Sequence, residues 1–341
     1  MRKIPFILLF AIVVSACAPS ADAPTAALPT QISSVPTVPA VPTQPPTSAP
    51  TATTAPTETP EPQGCADLGQ VLGPSDFGVA AGLPVADASA TLLDDGRIRI
   101  YVFAQEKGIL SAISADGAAF QAEEGQRIAG QGAGMPRVVR LSDGRFRMFF
   151  INMGGISSAI SDDGLNFTTE PGMRITADAA GFTGGTTAGM TSGATIVTLP
   201  DGSYRMYFSD LPRPGDPPGN HRIKSATSTD MLNWTVEEGV RIGLGAPALT
   251  GSAEHPSAFV NADGSITLFY GRFTGPGSNT QEGMYQSTSP NGLDFTEEIY
   301  SGLSFGNDPD ALQQLDGTLL LYYGTFSPEV GGTVRVAKCS G

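Results

Sequence analysis

The sequence predicts an all-β domain: a five-bladed β-propeller of four-stranded blades, closed by an N-terminal strand. Three observations carry this expectation. Asp-Gly followed by an alternating, aromatic-rich run occurs five times, at Gly96, Gly144, Gly202, Gly264 and Gly317. A second, serine-rich strand motif follows each copy. Two cysteines, Cys65 and Cys339, stand at the two ends of the repeating region.

The chain begins outside that region. Arg2 and Lys3 precede an apolar run from Ile4 to Val14, and Val14-Ser15-Ala16 then leads into Cys17. A basic start, a short apolar stretch and small residues mark a secretory signal. The run is too short to span a bilayer as a helix, which takes about 20 residues. Small residues directly before a cysteine resemble the lipobox of bacterial lipoproteins. That resemblance implies cleavage of residues 1–16 and lipidation of Cys17. The expected location is therefore extracytoplasmic, lipid-anchored to a bacterial membrane.

Residues 17–63 are dominated by Pro, Thr, Ala and Ser, as in PTQPPTSAPTATTAPTETPEP. Such a segment buries too little apolar surface to offset chain entropy. Its prolines favour extended polyproline II, a semi-rigid spacer of about 3 Å per residue. Residues 64–341 are then long enough for one sizeable core.

The five hairpin motifs read LLDDGRIRIYVF from Leu92, RLSDGRFRMFFI from Arg140, TLPDGSYRMYFS from Thr198, VNADGSITLFYG from Val260 and QQLDGTLLLYYG from Gln313. Asp-Gly between alternating runs signals a hairpin, because tight turns need a residue at positive φ. A third strand follows as ILSAISADG from Ile109, ISSAISDDG from Ile156, IKSATSTDM from Ile223 and MYQSTSPNG from Met284. The first four copies continue into a fourth strand opened by Phe120, Phe167, Trp234 or Phe295. Repeated four-stranded units arrange radially as a propeller.

The fifth copy, VRVAKCSG from Val334, runs out before a fourth strand. An open edge invites aggregation, and the stretch around Leu68 to Leu72 is the natural donor to cover it. With Cys17 assigned to lipid, Cys65 and Cys339 remain, and an oxidising compartment favours their pairing. A Cys65–Cys339 bridge would staple the ring shut.

The formal charge of −14 disfavours nucleic acid and anionic lipid as partners of the domain. Nothing in the sequence signals an oligomer, so a monomer is expected. No cofactor is identified and no metal site is assigned; Asp308 and Asp310 in GNDPDA read either as cation ligands or as turn residues. In a propeller, the residues that open each first strand converge at one mouth of the central channel. Counting back eight residues from each turn Asp gives Asp87, Met135, Gly193, His255 and Asp308, with Glu254 beside His255.

This column resembles that of the five-bladed glycoside hydrolases of families 43 and 32. The matching elements are VADASATLL around Asp87, GMPRVV with Met135-Pro136, AEHPSAF with Glu254, and the turn STDMLNW from Ser228. Two positions depart from the family. Ala88 follows Asp87 where proline is usual, and Gly193 stands where the third carboxylate belongs. The resemblance implies carbohydrate as ligand, Glu254 as general acid and Asp87 as base or nucleophile, the two roles that glycoside hydrolysis needs. Asp210 or Asp308 would then stand in for the missing third carboxylate. Arg137 and Arg272 are read as contacts to sugar hydroxyls or to an acidic sugar, or as structural ion pairs. His255 is read as a substrate or metal contact or as a packed core residue, and His221 as part of a Gly/Pro-rich insertion. A non-catalytic propeller that binds glycan or protein at the cell surface is the competing expectation. Sialidases rank lower, since they have six blades and longer Asp-box turns.

Overall fold

A computed structural model describes residues 64–130, 132–152, 155–176, 179, 191–210, 221–243, 251–274, 281–304 and 306–340. The expected signal peptide, Cys17 and the linker lie outside these residues, as does most of the Gly/Pro-rich insertion before His221.

Strand β1 (Cys65–Leu72) precedes the first blade, which is β2 (Val85–Leu92), β3 (Ile98–Ala104), β4 (Gly108–Ser114) and β5 (Phe120–Ala122). The second is β6 (Ala133–Arg140), β7 (Phe146–Asn152), β8 (Gly155–Ser161) and an interrupted outer strand, β9 (Thr168–Thr169) and β10 (Ile175–Thr176). The third is β11 (Thr191–Thr198), β12 (Tyr204–Asp210), β13 (Arg222–Ser228) and β14 (Thr235–Val236). The fourth is β15 (Gly251–Val260), β16 (Ile266–Thr274), β17 (Gly283–Ser289) and β18 (Ile299–Tyr300). The fifth is β19 (Asn307–Gln313), β20 (Leu319–Ser327) and β21 (Gly331–Cys339), and β1 completes it by pairing antiparallel with β21. The five-bladed propeller expected from the repeats is the observed fold.

The hairpin glycines take the conformation their motif demands. Gly96, Gly144, Gly202, Gly264 and Gly317 all have φ between 82° and 90°. The ring is closed as the cysteine spacing implies. Cys65 and Cys339 are cross-strand partners in the β1–β21 ladder and form a disulfide. Asp67 on β1 adds an ion pair with Arg335 and accepts a hydrogen bond from Tyr323 (2.9 Å).

Three of the aromatic residues stand where a fourth strand opens, as expected: Phe120 begins β5, and Phe167 and Trp234 directly precede β9 and β14. Phe120, Phe167, Trp234 and Phe295 each meet an aromatic ring of the preceding blade edge-on, at 5.9 to 6.0 Å between centroids. In the fourth blade the outer strand starts only at Ile299. Neighbouring polar groups complete the same seams. Tyr101, Tyr207 and Tyr322 donate to the main-chain carbonyls of Gly164, Gly292 and Gly117 in the next blade's turn, at 2.8 to 2.9 Å. Arg99, Arg147 and Arg205 each pair with a glutamate of their own blade, Glu123, Glu170 and Glu237. Their Nη1 atoms donate to the next turn, at Asp163, Asp230 and Asn291. The fifth blade has Leu320, and the fourth Thr267, where these arginines stand. A cavity of about 160 Å³ remains there, lined by Thr267, Phe269 and Thr288 among others.

Candidate functional site

Each innermost strand carries a bulge near its start. The register slips between Ala86 and Ser89, Gly134 and Arg137, Ser192 and Thr195, Glu254 and Ser257, and Asn307 and Asp310. The column residue sits inside the bulge each time, with left-handed backbone: Asp87 (φ 59°), Met135 (48°), Gly193 (59°), His255 (51°) and Asp308 (52°). Positive φ is uncommon for residues other than glycine, and strained positions gather at functional sites. The bulge re-aims the side chain, and all five residues line one small axial cavity. Counting from the turn aspartates therefore located the convergent ring, but the bulges themselves carried no sequence signal except at Gly193.

The ring is occupied by its own side chains. His255 forms an ion pair with Asp308 and lies 3.1 Å from Asn307 Oδ1. Asp308 is hydrogen-bonded to Asp87, and Asp87 Oδ2 accepts the Met135 amide at 3.1 Å. Burial, and then the negative charge of Asp308, push the Asp87 carboxyl up to about 8. Burial works against a charged His255, but Asp308 outweighs it, with Glu254 and Asp87 adding, and holds the imidazole at about 10. Burial would raise Asp308, yet His255 and the bond to Asp87 keep it below its ordinary value. At neutral pH the set is thus a protonated Asp87, an ionised Asp308 and an imidazolium. The space left between them is about 10 Å³, room for about one water.

Gly193 explains the missing third carboxylate. A Cβ on Gly193 would come within 2.9 Å of the His255 Cα and 3.0 Å of its ring. The imidazole fills the place where an aspartate side chain would start.

One layer below, Arg137 and Asp310 lock the axis. Arg137, in the second blade, forms an ion pair with Asp310 in the fifth. It also donates to Ala194 O in the third blade (3.0 Å) and to Pro309 O in the fifth (3.1 Å). Asp310 accepts the Ala90 amide of the first blade (2.6 Å) and the Ser257 hydroxyl of the fourth (3.2 Å). One buried charge pair thus touches all five blades. Of the alternatives for Arg137, the structure presents the structural ion pair. Arg272 is likewise only 2% exposed and paired with Glu298 through its Nε (2.7 Å). Neither guanidinium is held out toward solvent.

Glu254 and Asp210 lie to one side. Ser252 Oγ donates to Glu254 Oε1 at 2.5 Å, and His221 Nδ1 is 3.8 Å away, beyond hydrogen-bonding reach. Burial holds His221 below its ordinary value, with Glu254 opposing. Asp210 is 1% exposed and is engaged by Arg222, through amide and guanidinium, and by Lys224 at 3.7 Å. It is bound to its own blade and not to the ring.

Beside the axial ring, over the fifth blade, a wider cavity of about 380 Å³ opens, and Asp308 lines both spaces. Nothing in the sequence pointed to it, because its lining comes from strand ends of the first, fourth and fifth blades. Among the described residues no cluster of three or more His, Cys, Asp or Glu is arranged to hold a metal ion.

No protein-family profile matches the chain, and no curated sequence matches it. Solved structures match its fold. A thermostable family-43 glycoside hydrolase is 17% identical, with a TM-score of 0.56 over 74% of this chain and 89% of the other. An endo-arabinase from Bacteroides thetaiotaomicron is 16% identical, with a TM-score of 0.59 over 80% and 97%. An N-acetylgalactosamine deacetylase from F. plautii, solved with blood group B trisaccharide, is 12% identical, with a TM-score of 0.55 over 81% and 94%. At such identities the likeness establishes the architecture, while function rests on the site itself.

Proposed function

We propose that the propeller binds carbohydrate beside the ring where the five bulges meet, and that it does not hydrolyse it. One observation carries this reading: Asp87, the expected base, is hydrogen-bonded to Asp308 and faces a space of about one water. A sugar ring does not fit between Asp87, Met135 and His255, and burial together with the Asp308 charge raises the Asp87 carboxyl, which disfavours the ionised form a base needs. The empty third position supports the same reading, since His255 stands in the way of a carboxylate there. The fold neighbours include glycoside hydrolases and a protein solved with a trisaccharide, which favours a glycan as ligand.

The setting proposed for this activity is the outer face of a bacterial membrane. Cys17 would carry the lipid, residues 18–63 would form the tether, and the domain would act as a monomer. The Cys65–Cys339 disulfide supports an oxidising compartment.

The test is binding and turnover measured together. The purified protein is titrated with arabinan, arabinoxylan, xylan, fructan, mannan and sialylated glycans, and sugar release is followed in the same mixtures. Saturable binding without release is expected. Release that disappears in Glu254→Gln would instead establish a hydrolase with Glu254 as its acid.

A further inference from the structure

We infer that the sugar-binding pocket is the off-axis cavity over the fifth blade. This deepens the carbohydrate-binding reading and rests on it. The axial ring offers about 10 Å³, whereas the adjacent cavity offers about 380 Å³. Sites for small ligands run from about 300 to 1,000 Å³ and combine apolar walls with a few polar groups.

The lining has that division. Phe273 and Phe326 supply aromatic surface, and Phe326 is 64% exposed at the rim. An aromatic ring that solvates poorly and packs on little else is a ready platform for the apolar C–H face of a sugar. Asn307, Asp308, Glu282 and Thr325 supply the hydroxyl partners. Asn307 also touches His255, and Asp308 is the carboxylate that His255 and Asp87 fix from behind. The pocket's polar wall is therefore set by the buried ring, which gives that ring a positioning role in place of a catalytic one.

Two substitutions separate this pocket from any other. A Cβ at Gly324 would make only ordinary contacts, 3.5 Å to Asn307 O and to Asp308 Oδ2, and the glycine is not at positive φ. Gly324→Leu therefore projects a side chain into the cavity without backbone strain. Phe326→Ala removes the platform from a position that contributes little to the core. Leu315→Ala, at an 85% exposed hairpin tip, is the control.

The full-length protein is titrated calorimetrically with neutral arabino-, xylo-, galacto- and manno-oligosaccharides and with oligogalacturonate. Binding of at least one series is expected. Phe326→Ala and Gly324→Leu should each weaken that binding by about tenfold or more, with Leu315→Ala unchanged and all melting temperatures preserved. Binding that survives both substitutions would overturn the pocket assignment while leaving carbohydrate binding intact. No binding in any series would overturn both this inference and the reading beneath it.

Discussion

Replacing Arg137 tests whether it holds the ring together or holds a ligand. In Arg137→Met the aliphatic part of the side chain is kept and the guanidinium is lost. Asp310 then keeps the Ala90 amide and the Ser257 hydroxyl but loses its cation, at a site where it is 5% exposed. Ala194 O and Pro309 O lose their donors as well. Breaking a buried ion pair by removing one partner costs about 3–5 kcal/mol, most of it from the charge left behind. At roughly 2–4 °C per kcal/mol for a domain of this size, the melting temperature should fall by about 6–20 °C. The double variant Arg137→Met/Asp310→Asn removes the stranded charge, while the amide oxygen still accepts from Ala90. It should recover a large part of the loss. Differential scanning calorimetry reads the shift, and oligosaccharide titration below the melting transition reads the ligand. A single variant that melts within about 2 °C of the parent but no longer binds sugar would refute the structural role and return Arg137 to the ligand site.

Three further outcomes follow from the same geometry. Asp87 and His255 are both raised in the folded state, so the stability Asp87 contributes is lost as pH rises from about 4 to about 8, and that of His255 from about 6.5 to about 10. Melting temperature should therefore fall across that range, and Asp87→Asn should flatten the part below about pH 8; an equal slope there in that variant would show that another group titrates. Gly96 and Gly164 both have positive φ, but a Cβ at Gly96 meets nothing whereas one at Gly164 comes within 2.7 Å of Arg99 Nη1 and 2.8 Å of Tyr101 Oη. Gly164→Ala should thus lower stability by about 1–3 kcal/mol more than Gly96→Ala in denaturant melts, and equal losses would mean the seam gives way freely. The Cys65–Cys339 bridge closes a loop with a sequence separation of 274 residues, for which chain entropy gives about 5 kcal/mol. Reduction should lower the melting point and speed amide exchange first in β1, and unchanged exchange there would show that the ladder alone closes the ring.

Much of the architecture was legible because it repeats. Asp-Gly hairpins mark each blade, and the chain's failure to supply a fifth outer strand points to the N-terminal donor and its cysteine. The convergent ring was reachable by counting, since every blade keeps the same spacing from turn to bulge. What the repeats could not convey is what differs between blades. Thr267 and Leu320 replace the seam arginine in the fourth and fifth blades. Arg137 meets Asp310 across 173 residues of sequence, a pairing that no local pattern announces. The left-handed bulges at Asp87, Met135, His255 and Asp308 are borne by residues that give no sign of them. The cavity over the fifth blade is assembled from the ends of strands in three blades, so its aromatic rim reads in sequence as ordinary strand residues.

The most direct test of the account is a single mixture in which binding and hydrolysis are scored together. The full-length protein is incubated with the oligosaccharide that it binds best, and bound ligand and released sugar are both followed over many hours. The account predicts saturable binding, no release above a protein-free control, and loss of binding in Phe326→Ala. Release of sugar by the parent protein, abolished in Glu254→Gln, would contradict it and make the sealed ring a working active site.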